Sequence, residues 1–388
     1  MLFIAYAAIV GACAMWLLGA WRTVSGMRRV PGLDAAWDVA QATWPRISLI
    51  VPARNEAQSI AQAVQSRLDE GYPNLEIILV NDRSTDETGK IADKIARSDV
   101  RVQVVHVQDL PPGWLGKLHA LHQGVLRASG EWLLFSDADV QFRPGTLRRS
   151  MGLCQQRGVD HLVALPALER TSVLLDATID FFLSALLVAI DVSRIEDPAS
   201  KAAIGGGMFS LVRRQVFERT QGFPWLQLEV ADDIALGQML KRAGARQCLV
   251  NACESIHLAW YRSLWEMAQG LEKNVYGALG RYHPLRFLAG LSVLLLLSVA
   301  PLMGCVWGPW PIRVLSGTAV VLGTFSRYRF AQWTRRPTSS AWLAPLGGLV
   351  VTWMALRAGV LALWRGGIVW RGTHYPLSLL RKNMRLEL

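Results

Sequence analysis

Apolar residues are spread unevenly along this chain. Residues 2–21 carry no charge over a run of about 20 positions, the length that crosses a bilayer as a helix. Apolar density returns after Pro284. Residues 287–310 are again of spanning length, 314–325 fall at the short end, and 341–364 are broken by Pro345, Gly347, Gly348 and Arg357. Between these blocks the pattern changes to short apolar runs separated by helical ones. Residues 47–51, 76–81, 102–106 and 132–136 read as buried strands, and 60–68, 87–96 and 117–128 as helices. That rhythm predicts an α/β fold with a mostly parallel sheet, which binds ligands at the carboxyl ends of its strands.

The first block has no basic residue before it, and Arg22, Arg28 and Arg29 follow it. A cleaved signal peptide needs the reverse, so this is read as an uncleaved anchor with its C-terminal end in the cytosol. The chain divides into an anchor at 1–22, a cytosolic α/β domain at 45–262, an interfacial helix region at 263–284, and a membrane region at 285–388 with a cytosolic tail. Four full crossings would put Arg365, Arg371, Arg381, Lys382 and Arg385 outside, against the positive-inside rule. Hence either the last segment is bent, re-entrant or interfacial, or the short third one does not cross. Residues 174–190 are apolar with Asp176 and Asp180 one turn apart on one face. They suit a core helix or an interfacial one that guides lipid.

Composition agrees with a membrane protein: of 388 residues, 52% are hydrophobic and 18% charged, shifted in opposite directions from ordinary soluble domains. The net charge of +11 admits anionic lipid, phosphate ligands or nucleic acid. Arg327, Arg329, Arg335 and Arg336 flank apolar runs as Arg22, Arg28 and Arg29 do, which fits a membrane surface. No nucleic-acid-binding motif accompanies them. The five cysteines, Cys13, Cys154, Cys248, Cys253 and Cys305, form no C-x-x-C pair, which argues against zinc and for reduced thiols.

Candidate chemistry collects at the strand ends. The first strand runs into Pro52, Arg54 and Glu56, and the second into Asn81-Asp82-Arg83-Ser84. Ser84 and Glu87 have the spacing of a capping box, which leaves Asp82 unexplained. A carboxylate there can accept the imide N–H of a uracil-type base. The fourth strand ends in Asp137-Ala138-Asp139, two like charges that a Mg²⁺ or Mn²⁺ ion would relieve while bridging to a diphosphate. Lys117 opens a helix after a glycine-rich turn, placing an ammonium beside backbone N–H groups that attract phosphate. Asp232 and Asp233 suit a helix N-terminus, and one of them, Asp233 first and Asp232 second, suits a general base. Gly205-Gly206-Gly207 lines an acceptor site or marks a tight backbone crossing.

Taken in order, V-P-A-R-N-E, N-D-R-S-T-D-E-T, D-A-D and D-D-I-A-L resemble family 2 glycosyltransferases of GT-A fold. The P-P-G-W-L-G-K-L-H-A segment, the flanking apolar blocks, Tyr261-Arg262-Ser263, Lys273-Asn274 and Trp370-Arg371-Gly372-Thr373-His374-Tyr375 resemble the hopanoid-biosynthesis-associated members. The carotenoid and ceramide glycosyltransferases are more distantly similar. The resemblance implies a nucleotide-sugar donor, most simply a UDP-sugar, a lipid acceptor such as a hopanoid, inversion, and a divalent metal. It places Asp82 at the nucleobase with Pro52, Arg54 and Glu56, and Asp137 and Asp139 at the metal and ribose-diphosphate, with Asp233 as base. Gln269-Gly270-Leu271-Glu272-Lys273-Asn274 lacks the R-W of processive relatives, which favours one transfer per acceptor. A polyprenyl-phosphate acceptor, or a membrane scaffold that binds nucleotide sugar without turnover, are the alternatives. The setting expected is a bacterial inner membrane.

Overall fold

The structure is a computed structural model that describes residues 2–34, 37 and 43–387; positions 1 and 388, at the outer ends of the expected anchor and C-terminal region, lie outside it. In chain order the strands are β1 (Ile47–Ala53), β2 (Leu75–Asp82), β3 (Val102–Val107), β4 (Trp132–Phe135), β5 (Gln141–Phe142), β6 (His161–Leu165), β7 (Ala167–Leu168), β8 (Ser210–Arg213), β9 (Gln247–Asn251), β10 (Ile256–Leu258), β11 (Gly367–Trp370) and β12 (Thr373–Pro376). Seven of them form one sheet in the order β3-β2-β1-β4-β8-β6-β9. β1 pairs in parallel with β2 and β4, β2 with β3, and β6 with β9; β8 alone runs antiparallel to its neighbours. The centre is buried on both faces, which is why β1 and β2 read as continuous apolar runs.

The four expected strands are present, each within two residues of its predicted limits. The capping box does not form. The helix Thr88–Ser98 has Glu87 at its N-cap position without a side-chain bond, and the Ser84 hydroxyl accepts from Asn55 N at 3.0 Å. Asp86 Oδ1 takes the Thr88 N–H instead, at 3.0 Å. Ser84 therefore joins two strand-end loops rather than closing a helix.

On the apolar side, the helices Leu2–Arg29, Pro284–Trp307 and Trp310–Trp333 pack together. Trp16 Nε1 donates to the Leu297 carbonyl at 2.8 Å, Cys13 Sγ lies 3.4 Å from Ser316 Oγ, and Gly323 makes room for the Trp16 ring. The short segment expected at 314–325 is the middle of the helix Trp310–Trp333, whose 24 residues extend about 36 Å. Arg313, Arg327 and Arg329 within it hid its length. Among the described residues, four helical segments are long and apolar enough to cross a membrane: Leu2–Arg29, Val173–Arg194, Pro284–Trp307 and Thr338–Trp364.

The helix Val173–Ile190 packs on Ala344–Trp364, where Gly347 and Gly348 let the Ala177 carbonyl and Phe181 approach. Its two carboxylates are neutralised internally: Arg336 lies 2.8 Å from Asp176 and 2.6 Å from Asp180, all three side chains almost fully buried. The tail beyond Trp364 returns to the sheet. Leu386 N donates to Glu229 at 3.0 Å and Glu387 N to Gln238 at 3.0 Å. The basic C-terminal residues thus pack beside the sheet.

Candidate active site

The loops after β1 and β2 are stitched to each other. Asn55 and Arg83 both take left-handed φ, 58° and 54°, so each strand end turns sharply. Thr85 N donates to Asn55 Oδ1 at 2.8 Å and Glu56 N to Thr88 Oγ1 at 2.7 Å. Asp82, buried at the end of β2, accepts from Arg83 Nε at 2.7 Å, and Arg54 Nη1 lies 4.0 Å away. Gly116 permits the contact between Asp82 and the helix Gly116–Arg127, since a methyl group there would collide with the carboxylate. Asp82 and Arg54 therefore form one lobe of the site, joined to the rest through the turn that carries Lys117.

β4 delivers Ser136, Asp137 and Asp139. Asp137 N donates to the Gly207 carbonyl at 3.0 Å, and Ser136 Oγ to the Met208 carbonyl at 2.8 Å. Beneath this loop lies Arg67, fully buried, donating to Ser136 Oγ at 3.2 Å and to the Val140 carbonyl at 3.0 Å. Burial lowers its pKa to about 10, while Asp139 and Asp137 work to keep it charged. Burial and then the charge of Asp137 push the Asp139 carboxyl above the usual aspartate range. Glu56 is raised in turn by burial and by Asp139. The three acidic groups repel one another, and Arg67 and Lys117 offset that repulsion only in part at Asp139.

Lys117 and the helix Asp232–Arg242 close it. Lys117 Nζ stands 2.8 Å from Asp137 Oδ1 and 3.4 Å from Asp232 Oδ2. Burial opposes the ammonium, but the charges of Asp137 and Asp232 outweigh it and raise its pKa. Asp233 Oδ1 accepts from Ile234 N at 2.8 Å. Burial and the neighbouring Asp232 hold the Asp233 carboxyl above its ordinary value, with Lys117 and Lys273 pulling it back. A methyl group on Gly205 would run into the Asp233 carbonyl, and one on Gly207 would come within 2.9 Å of Asp137 and 3.0 Å of Lys117. The glycine run is thus a close backbone crossing that also faces the acidic cavity.

One cavity is lined by Pro52, Lys117, Asp137, Gly207, Asp232 and Asp233. Asp139, Glu56, Asp82 and Arg54 do not line it; Asp139 and Glu56 interact with Asp137 through their charges, and Asp82 and Arg54 pair with each other at the ends of β1 and β2. Among the described residues no group of three or more metal-ligating side chains is gathered, so protein atoms alone do not complete a cage. Mg²⁺ commonly takes one or two carboxylates and completes its shell with water and substrate phosphate, and the charge-deficient Asp137–Asp139 pair fits that pattern.

Sequence reading gave no role in the site to three contributors. Arg67 lies on a helix whose pattern reads as ordinary. Lys273, from the surface helix Leu264–Gly280, is held near Asp232 and Asp233, and burial lowers its pKa. The third is the C-terminal hairpin β11–β12. Trp370 lies with its ring 4.3 Å from Lys273 Nζ, and Tyr375 donates to the Trp114 carbonyl at 3.3 Å. A second cavity, beside the first, is lined by Leu115, Lys117, Asp232, Lys273, Trp370 and Tyr375. Only the tertiary fold brings residues so distant in sequence to one place.

Residues 48–220 match the model for glycosyl transferase family 2. Two 4,4'-diaponeurosporenoate glycosyltransferases of Staphylococcus aureus are similar to this chain. That of strain bovine RF122 / ET3-1 is 25% identical over 260 residues, covering 66% of this chain and 68% of the relative, and that of strain USA300 is 24% identical over the same extent. Among solved structures, a mannosyltransferase from Pyrobaculum calidifontis, in complex with GDP-Man and Mn²⁺, is similar at a TM-score of 0.58 and 22% identity, over 93% of this chain and 98% of that one. That likeness establishes the fold.

Proposed function

We propose, from the premise that this chain is a glycosyltransferase with a family 2 domain at residues 48–220, that it transfers one sugar from a nucleotide sugar to a lipid hydroxyl, with inversion at the anomeric carbon. The observation that carries this reading is the double contact of Lys117. One ammonium joins Asp137, on the donor side, to Asp232, beside the base. Donor and base groups are therefore neighbours across a single cavity, as a direct displacement requires.

In this reading Asp82, Arg54, Glu56 and Pro52 receive the nucleoside, and Asp137 and Asp139 hold Mg²⁺ or Mn²⁺. A metal bound there would supply Lewis-acid neutralisation of the leaving diphosphate. Lys117, between Asp137 and Asp232, contributes the ammonium that meets the donor phosphates. Asp233 takes the acceptor proton, with Asp232 next to it as the alternative. A carboxylate whose pKa is raised toward the working pH is the better base. The acceptor is an isoprenoid lipid of the hopanoid type. Support comes from the carotenoid substrate in the names of the S. aureus relatives and from the apolar helices beside the site. Arginines at the sheet end of those helices support a bacterial inner-membrane protein with its sheet domain in the cytoplasm.

The test is transfer of labelled sugar from UDP- and GDP-sugars to extracted lipid by the purified protein, with and without Mn²⁺. Label is expected in one lipid class with a metal requirement. Asp233→Asn is expected to abolish transfer with nucleoside diphosphate binding retained within about twofold, because the base acts on acceptor alone. Unchanged turnover in that variant rejects the assignment. Activity retained only with a polyprenyl phosphate, already anionic, moves the acceptor to that class.

A further inference from the structure

We infer that Arg371, at the tip of the C-terminal hairpin, is a donor-binding residue that contacts the diphosphate of the nucleotide sugar. This rests on the donor reading above and adds to it a residue from beyond the matched 48–220 region.

The tip is built at a conformational cost. β11 and β12 pair from Gly367↔Pro376 to Trp370↔Thr373, leaving Arg371-Gly372 as a two-residue loop. Both loop residues have positive φ, 47° and 82°, the pattern of a type I′ turn. Asn-Gly and Asp-Gly suit that turn; an arginine at the first position gains nothing from it locally and meets the steric penalty of the left-handed region. Strain of this kind points to a use for the side chain.

The rest of the hairpin carries the tip to the donor side of the site. Arg54 Nη2 donates to the Arg371 carbonyl at 3.1 Å, and Arg371 Nη1 donates to the Arg54 carbonyl at 3.1 Å. The tip is thus docked on the loop that follows β1. Tyr375 and Trp370 fasten its two strands to Trp114 and beside Lys273. From there Arg371 Nη2 faces Glu56 Oε1 at 3.7 Å, too far for a hydrogen bond. Its side chain is 39% exposed, so guanidinium N–H groups stay open to a ligand. Of the other nearby cations, Arg83 is bonded to Asp82 and Arg67 is buried beneath the β4 loop, which leaves Arg371 to act beside Lys117. A diphosphate entering a cavity rimmed by carboxylates needs a cation of this sort, and a guanidinium matches phosphate oxygens with two parallel N–H donors.

The experiment compares binding of UDP, uridine, GDP and guanosine, with Mn²⁺ present, to the full chain in detergent. Arg371→Asn removes the charge and keeps a residue that favours the turn; Arg371→Lys keeps the charge and loses the fork. Arg371→Asn is expected to weaken diphosphate binding about tenfold, leave the matching nucleoside unchanged and leave Tm the same or higher, with Arg371→Lys between. Diphosphate binding equal to wild type in Arg371→Asn overturns the inference alone. Equal loss of nucleoside and diphosphate makes the residue structural and also overturns it. A wild-type protein that binds neither diphosphate removes the donor reading itself.

Discussion

Lys117 Nζ lies 2.8 Å from Asp137 and 3.4 Å from Asp232, so a single side chain ties the end of β4 to the start of the helix Asp232–Arg242. Lys117→Met removes that link and one of the two cations that hold down the raised pKa of Asp233. A base works when deprotonated, so the rate falls as pH drops through its folded pKa. Without Lys117 that pKa rises further, and the acidic limb of kcat/KM moves to higher pH. Donor KM is also expected to rise, by about tenfold or more. A pH–rate series on both proteins measures this, and an unmoved acidic limb counts against Asp233 as the base.

Asp139 is raised because Asp137 stands beside it in a buried site. Asp139→Asn removes one of two proposed metal ligands. The Mn²⁺ concentration for half-maximal transfer is expected to rise at least about tenfold, as even outer-shell losses cost that much. Metal titration of the initial rate reads it. Wild-type turnover that persists after chelator treatment and dialysis excludes the metal role.

Gly205 gives the Asp233 carbonyl its place. Gly205→Ala forces the first turn of the helix Asp232–Arg242 away from the cavity. A shift near 1 Å costs about 100-fold in kcat, while donor affinity, set mainly by the loops after β1, β2 and β4, is expected to change little. Single-turnover rates beside direct donor binding separate the two. Equal losses in both would place Gly205 in general folding instead.

Arg336 neutralises Asp176 and Asp180 where none of the three reaches water. Arg336→Met leaves two buried carboxylates unpaired, at a cost of about 3–5 kcal/mol. Thermal unfolding in detergent reads the loss. The triple variant with Asp176→Asn and Asp180→Asn is expected to regain most of it, because no charge is then left unpaired.

The parallel half of the sheet was legible because β1, β2 and β4 are buried on both faces and spell uninterrupted apolar runs. β6 and β9 were not, because they carry polar residues that are satisfied only across the sheet. His161 on β6 bonds Ser210 on β8 at 2.9 Å and Gln247 on β9 at 2.8 Å, and burial lowers its pKa to about 3. Such residues look like loop until their partners are known. In the site, Asp137, Asp232, Asp233 and Lys117 announced themselves by strand ends and helix starts. Arg67 and Lys273 did not, since each is a lone cation on a helix, and a lone cation ordinarily reads as solvated. The third segment was under-read because Arg327 within it finds Ser184 on another helix, a contact no local pattern reveals.

Glu229, three residues before the helix that carries Asp232 and Asp233, accepts the backbone N–H groups of Arg385 and Leu386. Ribosomes make the chain from the other end. The acidic pocket therefore lacks this support until residues 385 and 386 have been made, after the four long apolar helices among the described residues. A nascent chain stalled before that point holds an incomplete pocket, so the site forms only after those helices have been made.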